Sequence, residues 1–204
     1  MFEQDGLALA AERRMRVFDT LPDEVDAIIA CQPVNKGYLS GYFSMMHDTD
    51  PNYRSAAVAT LDGAVRLVVS AADAGPALEW LGDPAALFRY GTFFFETAAD
   101  HPELGFGFPS ADRFETALAH ALQSVAGGGG KIAMDARNVC DIGLGDDLAG
   151  ISTDSFLCVS DALAQARRIK LPGDIERIRH ATRLVERGFA VVRDKLAAGT
   201  TETE

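Results

Sequence analysis

Apolar and polar positions alternate along the chain with two periods, one typical of helices and the other typical of strands. An apolar stripe at helical spacing predicts a helix over residues 7–21, and the apolar run VDAIIA at Val25–Ala30 has the length of a strand. Residues 55–70 predict a β-hairpin, because two β-rich runs flank Asp62 and Gly63, a dipeptide that tolerates the positive φ of a tight turn.

The same two periods continue as far as residue 166. The pattern predicts strands at 89–95, 131–135 and 156–160 and helices at 111–126, 142–149 and 161–166. Strands that alternate with helices, together with one antiparallel hairpin, indicate an α/β fold with a mixed sheet and helices packed against it.

A long amphipathic helix is predicted from Pro172, over about 27 residues or roughly 40 Å. Its packing stripe consists of Ile175, Ile178, Thr182, Val185, Phe189, Val192 and Leu196. Gly199 is placed to end the helix. The remaining residues offer nothing for the stripe to pack against, and Thr201 and Glu204 fit the capping box that opens a helix. We therefore expect the chain to be part of a longer protein that continues past Glu204.

Composition and charge exclude some classes of protein. A net charge of −11 argues against a nucleic-acid surface, which needs a basic face, and no apolar run is long enough to span a membrane. Three cysteines, far apart and odd in number, indicate reduced thiols in a cytoplasmic protein. Residues 167–195 carry 9 basic and 4 acidic side chains, and this change from an acidic to a basic stretch near residue 166 is typical of a domain boundary.

The short motifs do not complete a catalytic or metal site. Four glycines precede Lys131, but they lead into a strand and lack the spacing of a phosphate loop. An imidazole and two carboxylates come together at His47, Asp48 and Asp50, but in a loop closed by Pro51, so we interpret them as an acidic surface loop. The serines, cysteines and other histidines lie in no nucleophile or zinc motif.

Two stretches, one near each end of the chain, resemble the creatinase/prolidase family. Residues 13–42 resemble the opening of its N-terminal domain: a basic helix, a strand carrying Asp-Ala, and the pattern N…YL(T/S)G. The matching residues are Asp26, Ala27, Asn35, Tyr38, Leu39, Ser40 and Gly41. Residues 167–204 are similar to the family's junction R-x-I-K-x-P-x-E-I-x-x-I-R-x-A, followed by G-x-T-E. The matching residues there are Arg167 or Arg168, Ile169, Lys170, Pro172, Ile175, Ile178, Arg179, Ala181, Gly199, Thr201 and Glu202.

This resemblance implies part of a two-domain metallohydrolase such as a Xaa-Pro aminopeptidase, a prolidase or creatinase. The family's N-terminal domain has a three-layer, ribonuclease-H-like α/β fold and helps to build homodimers. Its C-terminal pita-bread domain holds two divalent metal ions (Mn, Co, Zn or Fe), which activate a bridging water for attack on an amide. Because the family's metal ligands lie in that domain, no catalytic residue and no metal ligand are expected up to residue 204.

The resemblance also implies a domain division and one pair of site residues. Residues 1–166 are interpreted as the N-terminal domain, and residues 167–204 as the linker and first helix of the catalytic domain. In relatives an aromatic residue and an arginine before the first hairpin strand reach the partner subunit's active site, and Tyr53 and Arg54 lie at about that place. An arginine fork suits a substrate carboxylate, while an exposed strand-edge arginine is the alternative. Leu171 departs from the family's polar cap, which predicts slightly weaker capping.

The chain is therefore expected to be a non-catalytic domain that supports homodimerisation and substrate access in a cytoplasmic Xaa-Pro aminopeptidase or prolidase. The substrate of the whole protein would be a peptide or a small amide. Two alternatives remain open. One is the same domain in a creatinase-like hydrolase of C–N bonds in small guanidino or cyclic amidine compounds. The other is a stand-alone α/β module for binding or oligomerisation, without catalysis.

Overall fold

The computed structural model describes residues 2–50, 52–92, 110–125, 131–135, 147–148, 151–152, 156–196 and 201. The chain divides into two units, Met1–Arg168 and Ile169–Glu204. The first unit contains the sheet and its helices, and the second contains one long helix. The division predicted after residue 166 is one between two domains of a longer protein. The two units of this chain do not test it, so it stays a prediction.

Six helices and nine short strands make up the described part of the first unit. The helices are α1 (Phe2–Phe18), α2 (Pro33–Ser40), α3 (Met46–Thr49), α4 (Ala74–Leu81), α5 (Phe114–Gln123) and α6 (Ser160–Arg168). The strands are β1 (Val25–Ala30), β2 (Ala56–Thr60), β3 (Val65–Ser70), β4 (Leu87–Tyr90), β5 (Ser110–Ala111), β6 (Lys131–Met134), β7 (Asp147–Leu148), β8 (Ile151–Ser152) and β9 (Leu157–Cys158). Single 3₁₀ turns lie at Ala71–Asp73 and Pro84–Ala86.

Seven of the described strands form one mixed sheet in the order β5-β4-β3-β2-β1-β6-β9, and β7 and β8 form a separate antiparallel pair. β2 is antiparallel to both β1 and β3. The other neighbours in the sheet are parallel. The β2–β3 connection turns at Gly63, which has a φ of 93°. The predicted hairpin and the predicted mixed sheet are therefore confirmed.

Helices cover both faces of the sheet, which makes the first unit a three-layer structure. On one face α5 packs against alternate strand residues, including Ala27, Ile29 and Val58. The residues between them, such as Ile28 and Ala59, face α1, α2 and α6. α4 covers β3 and β4 on that second face. β1 is almost entirely apolar because both of its faces are buried, as in the interior strands of α/β sheets.

A buried carboxylate joins the end of β6 to the turn before α2. Asp135 is fully buried. Its side-chain oxygens accept hydrogen bonds from the backbone N–H groups of Cys31 and Gln32, at 3.0 and 2.9 Å, and from the amide of Asn35 at 3.0 Å. The N-cap residue Gln32 makes no side-chain capping bond of its own. Asp135 therefore fixes the start of α2 from a distant part of the chain. Burial raises the pKa of Asp135, and the three donors act in the opposite direction.

The second unit contains α7 (Pro172–Lys195), a helix of 24 residues. Leu171 provides no side-chain cap, but the carboxylate of Asp174 accepts the backbone N–H of Leu171 at 2.9 Å, which is the N3 half of a capping box. The apolar stripe is exposed along the helix, and Phe189 is 72% exposed. No helix of the described residues is both long enough and apolar enough to cross a bilayer.

Some sequence predictions differ from the structure or fall outside the described residues. The helix predicted over 142–149 is wrong at residues 147–148, which form β7, and the rest of it lies outside the described residues. α2 and α4 were not predicted. The predicted strand at 89–95 corresponds to β4, which begins earlier, and residues 93–95 lie outside the described residues, as does Gly199.

Asp135→Ala should lower the free energy of unfolding by about 3 kcal/mol, because it leaves several buried N–H donors without their acceptor. Chemical denaturation monitored by circular dichroism measures this change. The matched control is Glu24→Ala, which removes the exposed ion pair with Lys131 at the other end of β6 and should cost less than about 1 kcal/mol. Equal, small losses in both variants would contradict a structural role for Asp135.

Candidate functional site

Six side chains of the first unit close a ring of polar and aromatic contacts on the face of the sheet that carries α2 and α4. We call this set the polar ring. It consists of Lys36 on α2, Tyr42 after α2, His47 on α3, Tyr53 and Ser55 before β2, and Asp73 in the 3₁₀ turn after β3. Five elements therefore contribute to one cluster.

One half of the polar ring is a triangle of three donor and acceptor atoms. The ammonium of Lys36 lies 2.8 Å from Oγ of Ser55 and 3.3 Å from Nε2 of His47. Oγ of Ser55 lies 2.9 Å from the same Nε2. Lys36 is fully buried and Ser55 nearly so. Burial lowers the pKa of Lys36 to about 8, while Asp73 acts in the opposite direction.

The protonation states in this triangle follow from its geometry. Partial burial lowers the pKa of His47, and the neighbouring charge of Lys36 lowers it further, while Asp73 and Asp48 act in the opposite direction. At neutral pH Lys36 is therefore charged and donates, and His47 is neutral with Nε2 as an acceptor. The ring proton of His47 then sits on Nδ1.

The other half of the polar ring is centred on the carboxylate of Asp73. Its two oxygens accept the phenol groups of Tyr42 at 2.6 Å and Tyr53 at 2.8 Å. Burial raises the pKa of both tyrosines, so both stay protonated and donate. The ring centres of His47 and Tyr53 lie 4.8 Å apart with the rings tilted by 59°, and the ammonium of Lys36 lies 5.3 Å from the ring centre of Tyr42. One buried cation and one buried anion are thus separated by aromatic rings.

The two residues predicted for substrate access lie next to each other but make different contacts. Tyr53 belongs to the polar ring. The guanidinium of Arg54 donates to Oε1 of Glu115 at 2.7 Å and lies 4.3 Å from the centre of the Phe114 ring. The backbone carbonyl of Arg54 accepts the hydroxyl of Tyr90 at 2.6 Å. Both side chains are held by contacts within this chain, and their role at a partner's site stays a prediction.

The group His47, Asp48 and Asp50 does not form a metal site. Asp48 and Asp50 are exposed as expected, but residues 46–49 form α3 instead of a loop, and His47 contacts the buried Lys36 and Ser55. The interpretation as a surface loop is wrong in these two respects. Among the residues that the structure describes, no three histidine, cysteine, aspartate or glutamate side chains come together so that they could hold a metal ion. The described residues therefore do not fit a two-metal centre.

Sequence reasoning missed most of the polar ring. Lys36, Tyr42, Ser55 and Asp73 belong to no motif, and they are brought together by the fold. A single signal was available: Lys36 stands in a segment whose other side chains are mostly uncharged. Such a lysine is either exposed or paired, and the sequence does not say which.

Comparison with solved structures shows which fold this is. The chain superposes on a prolidase from Thermococcus sibiricus with a TM-score of 0.55 at 14% identity, covering 96% of this chain and 46% of that one. A dipeptidase from Mycobacterium ulcerans (TM-score 0.49, 18% identity, 97% and 47% covered) and a prolidase from Pyrococcus horikoshii (0.46, 15%, 95% and 45%) also match. No family model matches the sequence, and no curated protein matches it.

At this level of identity the match to the Thermococcus sibiricus protein shows the fold. The α/β fold expected from the creatinase/prolidase resemblance is confirmed, with its mixed sheet, its flanking helices and its long last helix. The chain spans about half the length of each of these three solved proteins.

Lys36→Met should change how stability depends on pH. Because the pKa of Lys36 falls from 10.5 to about 8 on folding, the folded state binds fewer protons than the unfolded state between these values. Wild-type stability should therefore gain a contribution of about 3 kcal/mol as pH rises through this window, and the variant should lack it. At pH 7 the variant loses the buried ammonium but keeps the buried carboxylate of Asp73, so its gain in stability over wild type should stay below that contribution.

Urea denaturation at pH 7 and pH 10 measures both effects as differences from wild type. Lys131→Met, which removes an exposed lysine, is the matched control and should leave the difference between the two pH values unchanged. If Lys36→Met behaves like Lys131→Met, Lys36 is not buried as a charge.

Proposed function

We propose that this chain is the N-terminal, non-catalytic domain of a metal-dependent hydrolase, and that the hydrolase is a Xaa-Pro aminopeptidase or prolidase. The observation that carries the proposal is the fold, which matches about half of the Thermococcus sibiricus prolidase along almost the whole of this chain. The sequence adds independent support, because its two family-like stretches occur in the family's order, at 13–42 and at 167–204.

The exposed stripe of α7 supports a second domain. Its large apolar side chains, such as Ile178, Val185 and Phe189, are each more than half exposed. A contiguous apolar stripe on a helix is typical of a surface that packs against another element. In the proposed protein, α7 is the first helix of the catalytic domain and further residues of that domain cover the stripe.

The metal chemistry is assigned to that other domain. The described residues of this chain bring no suitable ligands together. In the proposed protein the pair of divalent ions (Mn, Co, Zn or Fe) is held by the catalytic domain, as the family resemblance implies. The contribution of this chain is then to support a homodimer and to shape access to the active site. A cytoplasmic location belongs to the same proposal and is supported by the free thiols of Cys31 and Cys158.

Arg54 is the side chain that we propose to act at the partner subunit's active site, together with Tyr53. The side chain of Arg54 is 35% exposed, and the ring of Phe114 and the carboxylate of Glu115 hold its guanidinium in one orientation. A guanidinium held in this way loses little conformational entropy when it binds a second carboxylate, such as that of a peptide substrate.

The product of the complete gene should release the N-terminal residue from Xaa-Pro dipeptides or longer Xaa-Pro peptides. The protein is stripped of metal, reloaded with Mn²⁺, and assayed by chromatography of the released amino acid. Activity should appear only after reloading, since the proposed reaction needs the metal-activated water.

The other outcomes separate the alternatives. Hydrolysis of small guanidino or cyclic amidine compounds, without peptide cleavage, would keep the domain assignment and move the substrate to the creatinase-like class. A gene product that binds no divalent metal would refute the hydrolase proposal and favour a stand-alone binding or oligomerisation module.

Arg54→Ala in the complete protein should reduce kcat/KM for Xaa-Pro peptides at least tenfold, about 1.4 kcal/mol of lost binding. Glu115→Gln is the matched control, because it removes the ion pair but leaves the arginine, and its kcat/KM should stay within about threefold of wild type. If Arg54 serves only the ion pair, both variants will lose similar stability and neither will lose activity. Sedimentation analysis belongs to the same test, since a monomeric active enzyme would exclude a partner's site.

A further inference from the structure

The short helix α3 is attached to the rest of the first unit mainly through His47. None of the four residues of α3 is buried, so apolar packing contributes little to its position. Of the residues just before it, Phe43 is 64% exposed and Met45 is 80% exposed, whereas Ser44 is buried and its hydroxyl accepts the N–H of Met46 at 3.1 Å. Ser44 therefore holds the start of α3, and the contacts of His47 with Lys36, Ser55 and the ring of Tyr53 hold the helix itself in place.

The contact with Lys36 exists in one protonation state. At 3.3 Å, Nε2 of His47 can accept a hydrogen bond from the ammonium of Lys36, but a protonated Nε2 has no free lone pair, so an imidazolium and an ammonium cannot bond to each other. A second proton turns both nitrogens into donors and places two positive charges side by side in a site that is partly closed to water. Such a pair is repulsive, and the repulsion is stronger than in bulk solvent.

We propose that Lys36, Ser55 and His47 form a proton-operated latch, which holds α3 in place at neutral pH and releases it in weakly acidic solution. The charged groups that face His47 are Lys36 on α2, Asp73 in the turn after β3, and Asp48 on α3 itself. The two carboxylates favour the protonated ring, and Lys36 and burial oppose it. Tyr42 and Tyr53 stay neutral throughout this range.

The direction of the effect follows from linkage. In the closed latch the pKa of His47 is lowered, so the closed state binds fewer protons than the open state. The latch is fully closed above the ordinary histidine value of about 6.5. Below it, the ratio of open to closed molecules rises about tenfold for each pH unit, until the pKa of the closed state is reached. This device does not depend on the proposed function, and it would operate equally in a binding module.

The test combines histidine NMR with hydrogen exchange on the intact chain. The ring signal of His47 gives its midpoint, and millisecond-labelling mass spectrometry gives the protection of residues 43–50, corrected for the intrinsic pH dependence of exchange. In the wild type, protection should fall about fivefold from pH 6.5 to pH 5.5, or until the His47 midpoint is passed. The amides of Asp48 and Asp50, bonded to the carbonyls of Met45 and Met46, report on α3 itself.

Three variants identify the groups responsible. His47→Gln should abolish the pH dependence, whatever its basal protection. Lys36→Met should raise the His47 midpoint towards 6.5, because the opposing charge is gone. His120→Gln, which removes an exposed histidine on α5, should behave like wild type. Constant protection of residues 43–50 between pH 7.5 and pH 5 in the wild type would overturn the proposal, as would an equal fall in His47→Gln or an unchanged midpoint in Lys36→Met.

Discussion

The position of α2 is the constraint on which most of the first unit depends, and the carboxylate of Asp135 sets where α2 begins. Without that carboxylate, the N–H groups of Cys31 and Gln32, in the turn between β1 and the helix, would lose their acceptor. At the other end of α2, Arg14 on α1 donates to the carbonyl of Leu39 at 2.7 Å, and Gly41 ends the helix with a φ of 77°. Elements distant in sequence therefore fix both ends of an eight-residue helix whose own length gives it little stability.

The buried charge of Lys36 is tolerated because α2 holds it beside matching groups. Ser55 and His47 accept hydrogen bonds from its ammonium. The ring of Tyr42 lies next to the ammonium, and the hydroxyl of that ring binds the carboxylate of Asp73. An ammonium without these neighbours would lose its proton or move to solvent. The arrangement costs stability and gives a defined position to α3 and to the chain before β2, which apolar packing alone does not provide. The same contacts make that position sensitive to protons.

Sequence alone could predict the sheet but not the polar ring. Short apolar and β-rich runs located β1, the β2–β3 hairpin and β6, since these strands bury side chains on both faces and their pattern is local. α2 escaped prediction although Pro33 and Gly41 are typical of a helix start and a helix end, because its N-terminal acceptor, Asp135, stands about a hundred residues away. The polar ring escaped for the same reason. A lysine, a histidine and a serine at positions 36, 47 and 55 have no shared period, and the fold brings them together.

Successive side chains at the start of β2 point to opposite faces of the sheet, and this separates the polar ring from Arg54. Tyr53 and Ser55 belong to the polar ring on the α2 and α4 face of the sheet, whereas Arg54 contacts Phe114 and Glu115 of α5 on the opposite face. The family resemblance treats Tyr53 and Arg54 as a pair, yet the contacts of this chain assign them to different neighbours. Within this chain Tyr53 fixes the backbone before β2, with both its hydroxyl and its ring engaged. Arg54 is anchored and still partly open to solvent, so of the proposed pair it is the side chain with more freedom to meet a substrate. Opening of the latch would therefore reach Arg54 through the backbone of residues 53–55. It would change the position of the Arg54 side chain and not its charge.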